Sequence, residues 1–226
     1  MDHGKAMNVG IFGGTFNPVH FGHLRTAEEV REKLNLDQIL FVPSGNPPLK
    51  IRDIIPAKYR YEMLSIALRG NPCFILSDIE CRNRRKSYTV KTLEALCDLH
   101  PEVRFFLILG IDAFLDIPHW WRPEHLVSMI DFIVVSRPGF SFSMLRESPY
   151  LKAGVRLLRE VDIARNTVNV IRLKSERYAV LLRQTPLGVS STQIRRSIRQ
   201  GKSIKYLLPP EVQSYIITHK LFTKKS

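Results

Sequence analysis

The residues best suited to chemistry stand in one run near the N-terminus, Gly13-Gly14-Thr15-Phe16-Asn17-Pro18-Val19-His20-Phe21-Gly22-His23. Paired glycines let backbone N–H groups approach an anion with no Cβ in the way. A helix opening behind them adds its positive dipole end and its unsatisfied donors. His20 and His23 are three residues apart, the second in the first helical turn, so both imidazoles can reach one anionic centre. With free pKa values near ~6.5, imidazoles are driven toward the protonated form beside phosphates. Zinc is a poorer reading, because no third His or Cys stands at ligand spacing nearby. Packing is the usual fate of a lone histidine, but a pair in a glycine-rich turn favours phosphate contact.

A second run, Gly188-Val189-Ser190-Ser191-Thr192-Gln193-Ile194-Arg195, opens another helix. An ordinary N-cap explains one hydroxyl there. Three hydroxyls with exposed N–H groups and Arg195 one turn inside make a better polyphosphate cradle. Gly201-Lys202-Ser203 mimics the tail of a P-loop, but the earlier glycine would fall at Arg196, so that match fails. No GxGxxG occurs, which argues against a dehydrogenase.

Strands and helices alternate around these runs. Asn8 to Phe12 reads as a buried strand, followed by a helix from about His23 to Leu34. Gln38 to Val42 is the next strand, and a helix from about Ala57 to Leu68 stops at Gly70-Asn71-Pro72. Cys73 to Asp78 reads as a strand, Tyr88 to Leu99 as a helix, and Val103 to Leu109 as an apolar strand. Pro123 opens a short helix, and Asp131 to Val135 is another strand. Val168–Ile171 and Tyr178–Leu182 are short strands before a helix near Ser191 and a last one after Pro210. The pattern predicts an α/β fold: a single Rossmann-like domain, a parallel sheet with helices on both faces. Loops after Phe12, Val42, Leu109 and Leu182 are then expected at one sheet edge, where such folds bind ligands. The stretch from Phe140 to Asn166 reads least clearly, as an insertion or a mobile helix pair.

Bulk properties set the frame. The 226 residues read as one domain over 1–226, with 1–7 a short disordered extension. The apolar stretch around Phe105–Leu109 is too short to span a bilayer, and the N-terminus lacks the apolar core of a signal peptide. Cys73, Cys81 and Cys97 form no CxxC pair, so neither a disulfide framework nor a cysteine zinc site is expected, and a reducing cytoplasm fits. A formal charge of +13, from 34 Lys+Arg against 21 Asp+Glu, points to anionic partners. The positive residues are spread along the chain, so much of the excess reads as solvated surface.

The turn bearing His20 and His23, joined to Ser190-Ser191-Thr192 and Ile194-Arg195, resembles the nucleotidyltransferase superfamily with HxGH and SSTxxR signatures. The finer resemblance is to bacterial nicotinate mononucleotide adenylyltransferases. Pro47-Pro48-Leu49-Lys50, Ser87-Tyr88-Thr89, Leu109-Gly110-Ile111-Asp112, Pro118-His119-Trp120-Trp121, Ser136-Arg137-Pro138-Gly139 and the Gly201–Pro209 tail carry it over nearly the whole chain. That resemblance implies adenylyl transfer from ATP to nicotinate mononucleotide, giving deamido-NAD and pyrophosphate in NAD biosynthesis. Mg²⁺ would be held mainly by the ATP phosphates, with no metal bound by the protein itself. Partners would be ATP and the mononucleotide, with no nucleic acid and no membrane, and a homo-oligomer is left open.

Carried over by residue, the resemblance makes His20, His23 and Arg195 catalytic. It gives ATP to Gly13, Gly14, Thr15, Phe16, Gly110, Asp112, Ser190, Ser191, Thr192 and Ile194. Within that set, Gly110 and Asp112 would hold the ribose, while Ser191, Thr192 and Arg195 would take the departing pyrophosphate. It gives the mononucleotide to Asn17, Lys50, Ser87, Tyr88, Thr89, Trp120, Trp121 and Arg137. Lys50 would reach its phosphate, and the Thr89 backbone with Trp120 and Trp121 would frame the pyridine ring. The sequence departs from the family pattern at Asn17 (usually Asp), Leu49 (usually His) and Lys91 (usually acidic).

Three rival readings remain. Nicotinamide mononucleotide, phosphopantetheine or another phosphorylated acceptor would keep the chemistry. A nucleic-acid-binding module would use the charge, though no zinc finger, RRM-type motif or recognition helix is evident. A regulator that binds nucleotide without turnover would fit the three departures.

Overall fold

The computed structural model describes residues 6–48, 53–82, 85–152, 154–163 and 168–223. Its strands are β1 (Asn8–Gly14), β2 (Gln38–Pro43), β3 (Phe74–Leu76), β4 (Arg104–Gly110), β5 (Asp131–Val135), β6 (Val168–Arg172) and β7 (Tyr178–Leu182). Its α-helices are α1 (Phe21–Leu34), α2 (Ala57–Ala67), α3 (Thr89–Leu99), α4 (Ile111–Asp116), α5 (Pro123–Met129), α6 (Val155–Ile163), α7 (Ser191–Arg199) and α8 (Pro210–Thr218). The strands form one seven-stranded sheet in the order β3-β2-β1-β4-β5-β7-β6. This is the expected Rossmann-like α/β arrangement, with a mostly parallel sheet. Its order reverses between β1 and β4, the switch point where open sheets of this kind take their ligands.

The chain groups into two compact units. One comprises Met1–Phe12, Glu29–Ile39 and Tyr88–Pro186; the other comprises Gly13–Glu28, Leu40–Ser87 and Leu187–Ser226.

In the first unit, β1, β4, β5 and β7 run parallel, with Phe12 opposite Ile108, Gly110 opposite Val135, and Val135 opposite Leu182. Their carboxyl ends therefore share one edge. All of β5 is buried, as its apolar run Phe132–Val135 requires of a strand covered on both faces. Asp131 fixes where these strands begin: Oδ2 pairs with Arg104 at 2.9 Å and Oδ1 accepts from the Tyr178 N–H at 3.0 Å. Phe114 and Phe132, both fully buried, meet edge to face at 5.5 Å and anchor α4 on β5. β6 is antiparallel to β7, because the 173–177 connection is too short for a crossover and makes a hairpin instead.

One piece of this unit differs from the sequence reading, and a second, left open there, takes definite form. A short α4 and a 3₁₀ turn (Ile117–His119) follow β4, where no helix was expected; so short a segment, interrupted by Pro118, carries no periodic signal. Between Phe140 and Ile163, the stretch that reads least clearly in the sequence, described residues gather on one carboxylate. Asp162 of α6 accepts from the Phe142 and Ser143 N–H groups and the Ser143 hydroxyl, holding a 3₁₀ turn (Phe142–Glu147) against it.

In the second unit, Phe41 of β2 packs against Phe16 at 5.9 Å and Phe74 at 5.1 Å. Helices α2 and α8 are joined by the Tyr215 hydroxyl, which donates to Glu62, while the His219 ring stacks on Tyr215 at 4.1 Å. No helix among the described residues is long and apolar enough to cross a membrane.

Phe132→Ala is expected to cost ~3–5 kcal/mol of stability, the usual range for truncating a fully buried phenylalanine. Urea unfolding followed by circular dichroism measures it. A loss below ~1 kcal/mol would mean that the α4–β5 contact is not part of the stable core.

Candidate functional site

Helix α1 begins two residues earlier than its periodicity predicts, at Phe21. The His20 carbonyl accepts from the N–H groups of His23 (2.9 Å) and Leu24 (3.3 Å), closing the first turn. His23 therefore lies inside that turn, and its ring stacks on that of His20 with centroids 3.7 Å apart and planes 26° from parallel. The Nδ1 of His23 accepts from the His20 backbone N–H at 3.3 Å, so a neutral His23 carries its proton on Nε2. Phe16, buried and at φ 47°, presses its ring edge-on to His23 at 5.0 Å.

The glycine between the histidines is a steric requirement. A Cβ on Gly22 would lie 2.9 Å from His20 Nδ1 and 3.0 Å from its Cε1. Nothing but hydrogen fits under that ring without displacing it. The Asn17–Pro18 peptide in this turn is cis.

The second motif is built onto the first, within the same unit. Ser190 caps α7 by accepting from the Gln193 N–H at 3.2 Å. The Ser191 hydroxyl donates to the Pro18 carbonyl at 2.8 Å. Arg195 donates from Nη1 to the Asn17 carbonyl at 2.8 Å and from Nη2 to Thr192 Oγ1 at 3.4 Å. Its Nε is buried with no partner among the described residues. Burial, then the neighbouring Arg199, pull the Arg195 pKa below its ordinary value, while Asp53 opposes them.

Ser190 and Thr192 act as acceptors in these bonds, so each keeps an O–H to offer an anion, whereas Ser191 spends its hydrogen on Pro18. Ile194 is fully buried, and its N–H bonds the Ser190 carbonyl at 3.0 Å; it seats the helix.

Asn17 is held from both sides of its amide. Buried, it donates from Nδ2 to the Asp53 carbonyl at 3.0 Å and accepts at Oδ1 from the Ile55 N–H at 3.3 Å. An aspartate could accept from Ile55 but could not donate to Asp53, so the amide fits both contacts. Ser87 likewise serves a loop: its Oγ accepts from the Asn46 N–H at 3.1 Å, and its N–H bonds the Asn46 carbonyl at 2.9 Å. Leu49 and Lys50 lie outside the described residues.

In the other unit, Gly110 ends β4 and precedes α4. A Cβ there would fall 2.6 Å from Asp112 Oδ1, so glycine is needed for the carboxylate to turn back over it. Asp112 Oδ2 pairs with Arg137 Nη1 at 2.5 Å, while Oδ1 is buried with no partner among the described residues. That leaves a fixed acceptor suited to a hydroxyl. Trp120 donates from Nε1 to Asp116 at 3.1 Å. Trp121 stays exposed, with the Tyr88 ring 5.0 Å away, Lys91 at 5.2 Å and Arg122 at 5.1 Å from its centroid. Thr89 is the first residue of α3, directly after Tyr88.

Sequence reasoning missed Arg60. Its guanidinium, fully buried, donates to the carbonyls of Thr15 (2.8 Å), Gly45 (3.1 Å) and Ile55 (3.1 Å). A signal existed: Arg60, Met63 and Leu64 are the buried stripe of α2, so an arginine occupies a core position.

The family model described as "Cytidylyltransferase-like" matches residues 11–197. Among curated relatives, a protein from Geobacter metallireducens is 39% identical over 96% of this chain and 99% of its own. Another, from Syntrophotalea carbinolica, is 38% identical over 96% and 97%. Both bear the name "Probable nicotinate-nucleotide adenylyltransferase". Among solved structures, the Plasmodium falciparum nicotinic acid mononucleotide adenylyltransferase complexed with NaAD superposes with a TM-score of 0.73 at 21% identity, over 96% of this chain and 97% of that one. At that identity the likeness establishes the fold.

Gly22→Ala tests the histidine pair directly. The added methyl is expected to unstack His20 and weaken binding of inorganic pyrophosphate about 10–100-fold, the worth of one charge-assisted hydrogen bond. Isothermal titration calorimetry on folded variant would read it. Wild-type affinity would remove the histidine pair from the anion site.

Proposed function

The chain belongs to the nicotinate-nucleotide adenylyltransferase family, and from that premise we propose how its residues divide the work of transferring the adenylyl group of ATP to nicotinate mononucleotide. The products are deamido-NAD and pyrophosphate. The observation that carries this assignment is the joining of the two phosphate motifs: Ser191 and Arg195 of α7 are hydrogen-bonded to the carbonyls of Pro18 and Asn17, beside the stacked histidines.

The nucleophile is the 5′-phosphate of the mononucleotide. Its second pKa lies near ~6, so it is dianionic at neutral pH and needs no protein base. An oxygen of that phosphate attacks the α-phosphorus of ATP, and the bond from that phosphorus to the α,β-bridging oxygen breaks as pyrophosphate leaves. The obstacle is the approach of two anions, which orientation and positive charge lower. Bound phosphate favours the imidazolium forms of His20 and His23, the latter giving up the bond its Nδ1 accepts from the His20 N–H, and His23 Nε2–H is a donor in either protonation state. We assign the departing pyrophosphate to Arg195 and to the hydroxyls of Ser190 and Thr192, which keep their hydrogens. Ser191 and Ile194 hold α7 in place for it. The backbone of Gly13–Phe16 lines the turn.

We assign the adenosine ribose to Gly110 and Asp112, whose Oδ1 is the waiting acceptor. Arg137 then acts through Asp112, holding its carboxylate. The pyridine ring is assigned to Tyr88, Thr89, Trp120 and Trp121, and Lys50 to the mononucleotide phosphate. Asn17 and Ser87 support the surrounding loops. The donors at the turn are imidazoles, hydroxyls and a guanidinium, which complement phosphate oxygens, whereas Mg²⁺ wants oxygen ligands. We therefore assign Mg²⁺ to ATP's own phosphates and water; bound there, it would offset the charge of the departing pyrophosphate. One catalytic domain spanning the chain, working in the cytoplasm on ATP and the mononucleotide, completes the proposal.

Pyrophosphate release from ATP and Mg²⁺, measured in parallel with the nicotinate and nicotinamide mononucleotides, tests acceptor and reaction together. Release is expected with the nicotinate form, with dinucleotide in equal amount. Preference for the nicotinamide form would overturn the acceptor. His23→Ala is expected to lower kcat ~10²–10⁴-fold while the protein stays folded, and full activity in that variant would refute its role.

A further inference from the structure

We propose that Arg60 is a positioning residue for the reaction: its buried guanidinium fixes the direction of the Thr15–Phe16 peptide in the phosphate turn and ties that turn to the backbone at Gly45 and Ile55. This rests on the adenylyl-transfer reading of that turn.

The geometry is specific to a planar fork. Nη1 donates to the Thr15 carbonyl at 2.8 Å, Nη2 to the Gly45 carbonyl at 3.1 Å and Nε to the Ile55 carbonyl at 3.1 Å. One rigid group thus meets three separate backbone segments. A lysine ammonium has three donors too, but on a single nitrogen that cannot be at three such places at once. All three acceptors are carbonyl oxygens, and no carboxylate is within salt-bridge distance of this side chain among the described residues. Burial lowers the guanidinium's pKa from its ordinary value, and the nearby Cys81 and Glu80 partly offset that. A guanidinium keeps its charge under such conditions.

An unpaired buried cation is a costly way to brace loops, since an apolar side chain of similar volume avoids the desolvation. The arginine is explained by what it touches. Because the peptide is planar and trans, the Phe16 N–H points opposite to the Thr15 carbonyl, so a donor pulling on one aims the other. Phe16 also packs against His23. Holding Thr15 therefore sets both a backbone dipole and the ring that backs a catalytic imidazole. The other two bonds keep the framework from shifting. Asn17 reinforces the same place from its opposite end, through Asp53 and Ile55, and Arg199 pairs with Asp53 at 2.9 Å. The turn is held by one cation behind it and one, Arg195, across it.

The test compares Arg60→Lys and Arg60→Ala with wild type in the pyrophosphate-release assay, at a temperature well below each variant's measured unfolding midpoint. A purely structural arginine leaves kcat unchanged in protein that is folded. A positioning arginine is expected to lower kcat about 10–100-fold in both variants, with KM for ATP changed less than about threefold, since the loss lies in the transition state. Millimolar guanidinium is expected to restore part of kcat to Arg60→Ala and none to Arg60→Lys. Wild-type kcat in either folded variant overturns the inference. If neither variant folds, the wild-type protein still decides it: the Arg60 Nε–H resonance is expected to shift when inorganic pyrophosphate saturates the turn, and an unmoved resonance overturns the role. An inactive wild type would instead strike the adenylyl-transfer reading itself.

Discussion

Two carbonyl oxygens, those of Asn17 and Pro18, organise the phosphate site. They belong to a turn that must present donors to an anion, yet their own lone pairs need partners. Arg195 and Ser191, from a helix about 170 residues further along the chain, supply them. The same bonds that satisfy the turn bring the second phosphate motif to the first. Remove them and the histidines would still stack, but the cationic fork across from them would have no fixed place.

That constraint explains residue choices that look arbitrary singly. Gly22 is small because His20 lies on it, and Gly110 is small because Asp112 folds back over it. Asn17 is an amide because it must both donate and accept toward the 53–55 segment. Arg60 contributes charge and rigidity from the interior. Chemistry that needs no base and no covalent intermediate depends on such placement, because orientation and electrostatics must supply the whole rate enhancement.

Much of this was legible in the sequence, for physical reasons. Strands such as Val103–Leu109 and Asp131–Val135 announce themselves by the apolar runs Phe105–Leu109 and Phe132–Val135 within them, and β5 has the bounds predicted for it. The HxGH and SSTxxR runs name their chemistry because phosphate binding at helix starts needs glycine, hydroxyl and cation at fixed offsets. What stayed hidden depends on partners distant in sequence. The antiparallel turn of β6, the short α4 and the Asp162 clamp each follow from tertiary contacts that leave no periodicity. Within the site, the sequence could count three hydroxyls at 190–192, but only the structure shows Ser191 spending its hydrogen on Pro18. Arg60 was readable as a charge on a core stripe, though not as the group that holds Thr15.

The central claim is a direct displacement at the α-phosphorus, with no protein nucleophile. Its most direct test is the stereochemical course with ATP made chiral at the α-phosphorus by sulfur substitution. Inversion of configuration in the dinucleotide product is the expected result, since a single in-line attack turns the phosphorus once. Retention would mean two successive displacements through an adenylylated protein side chain, and would contradict the mechanism drawn from this turn.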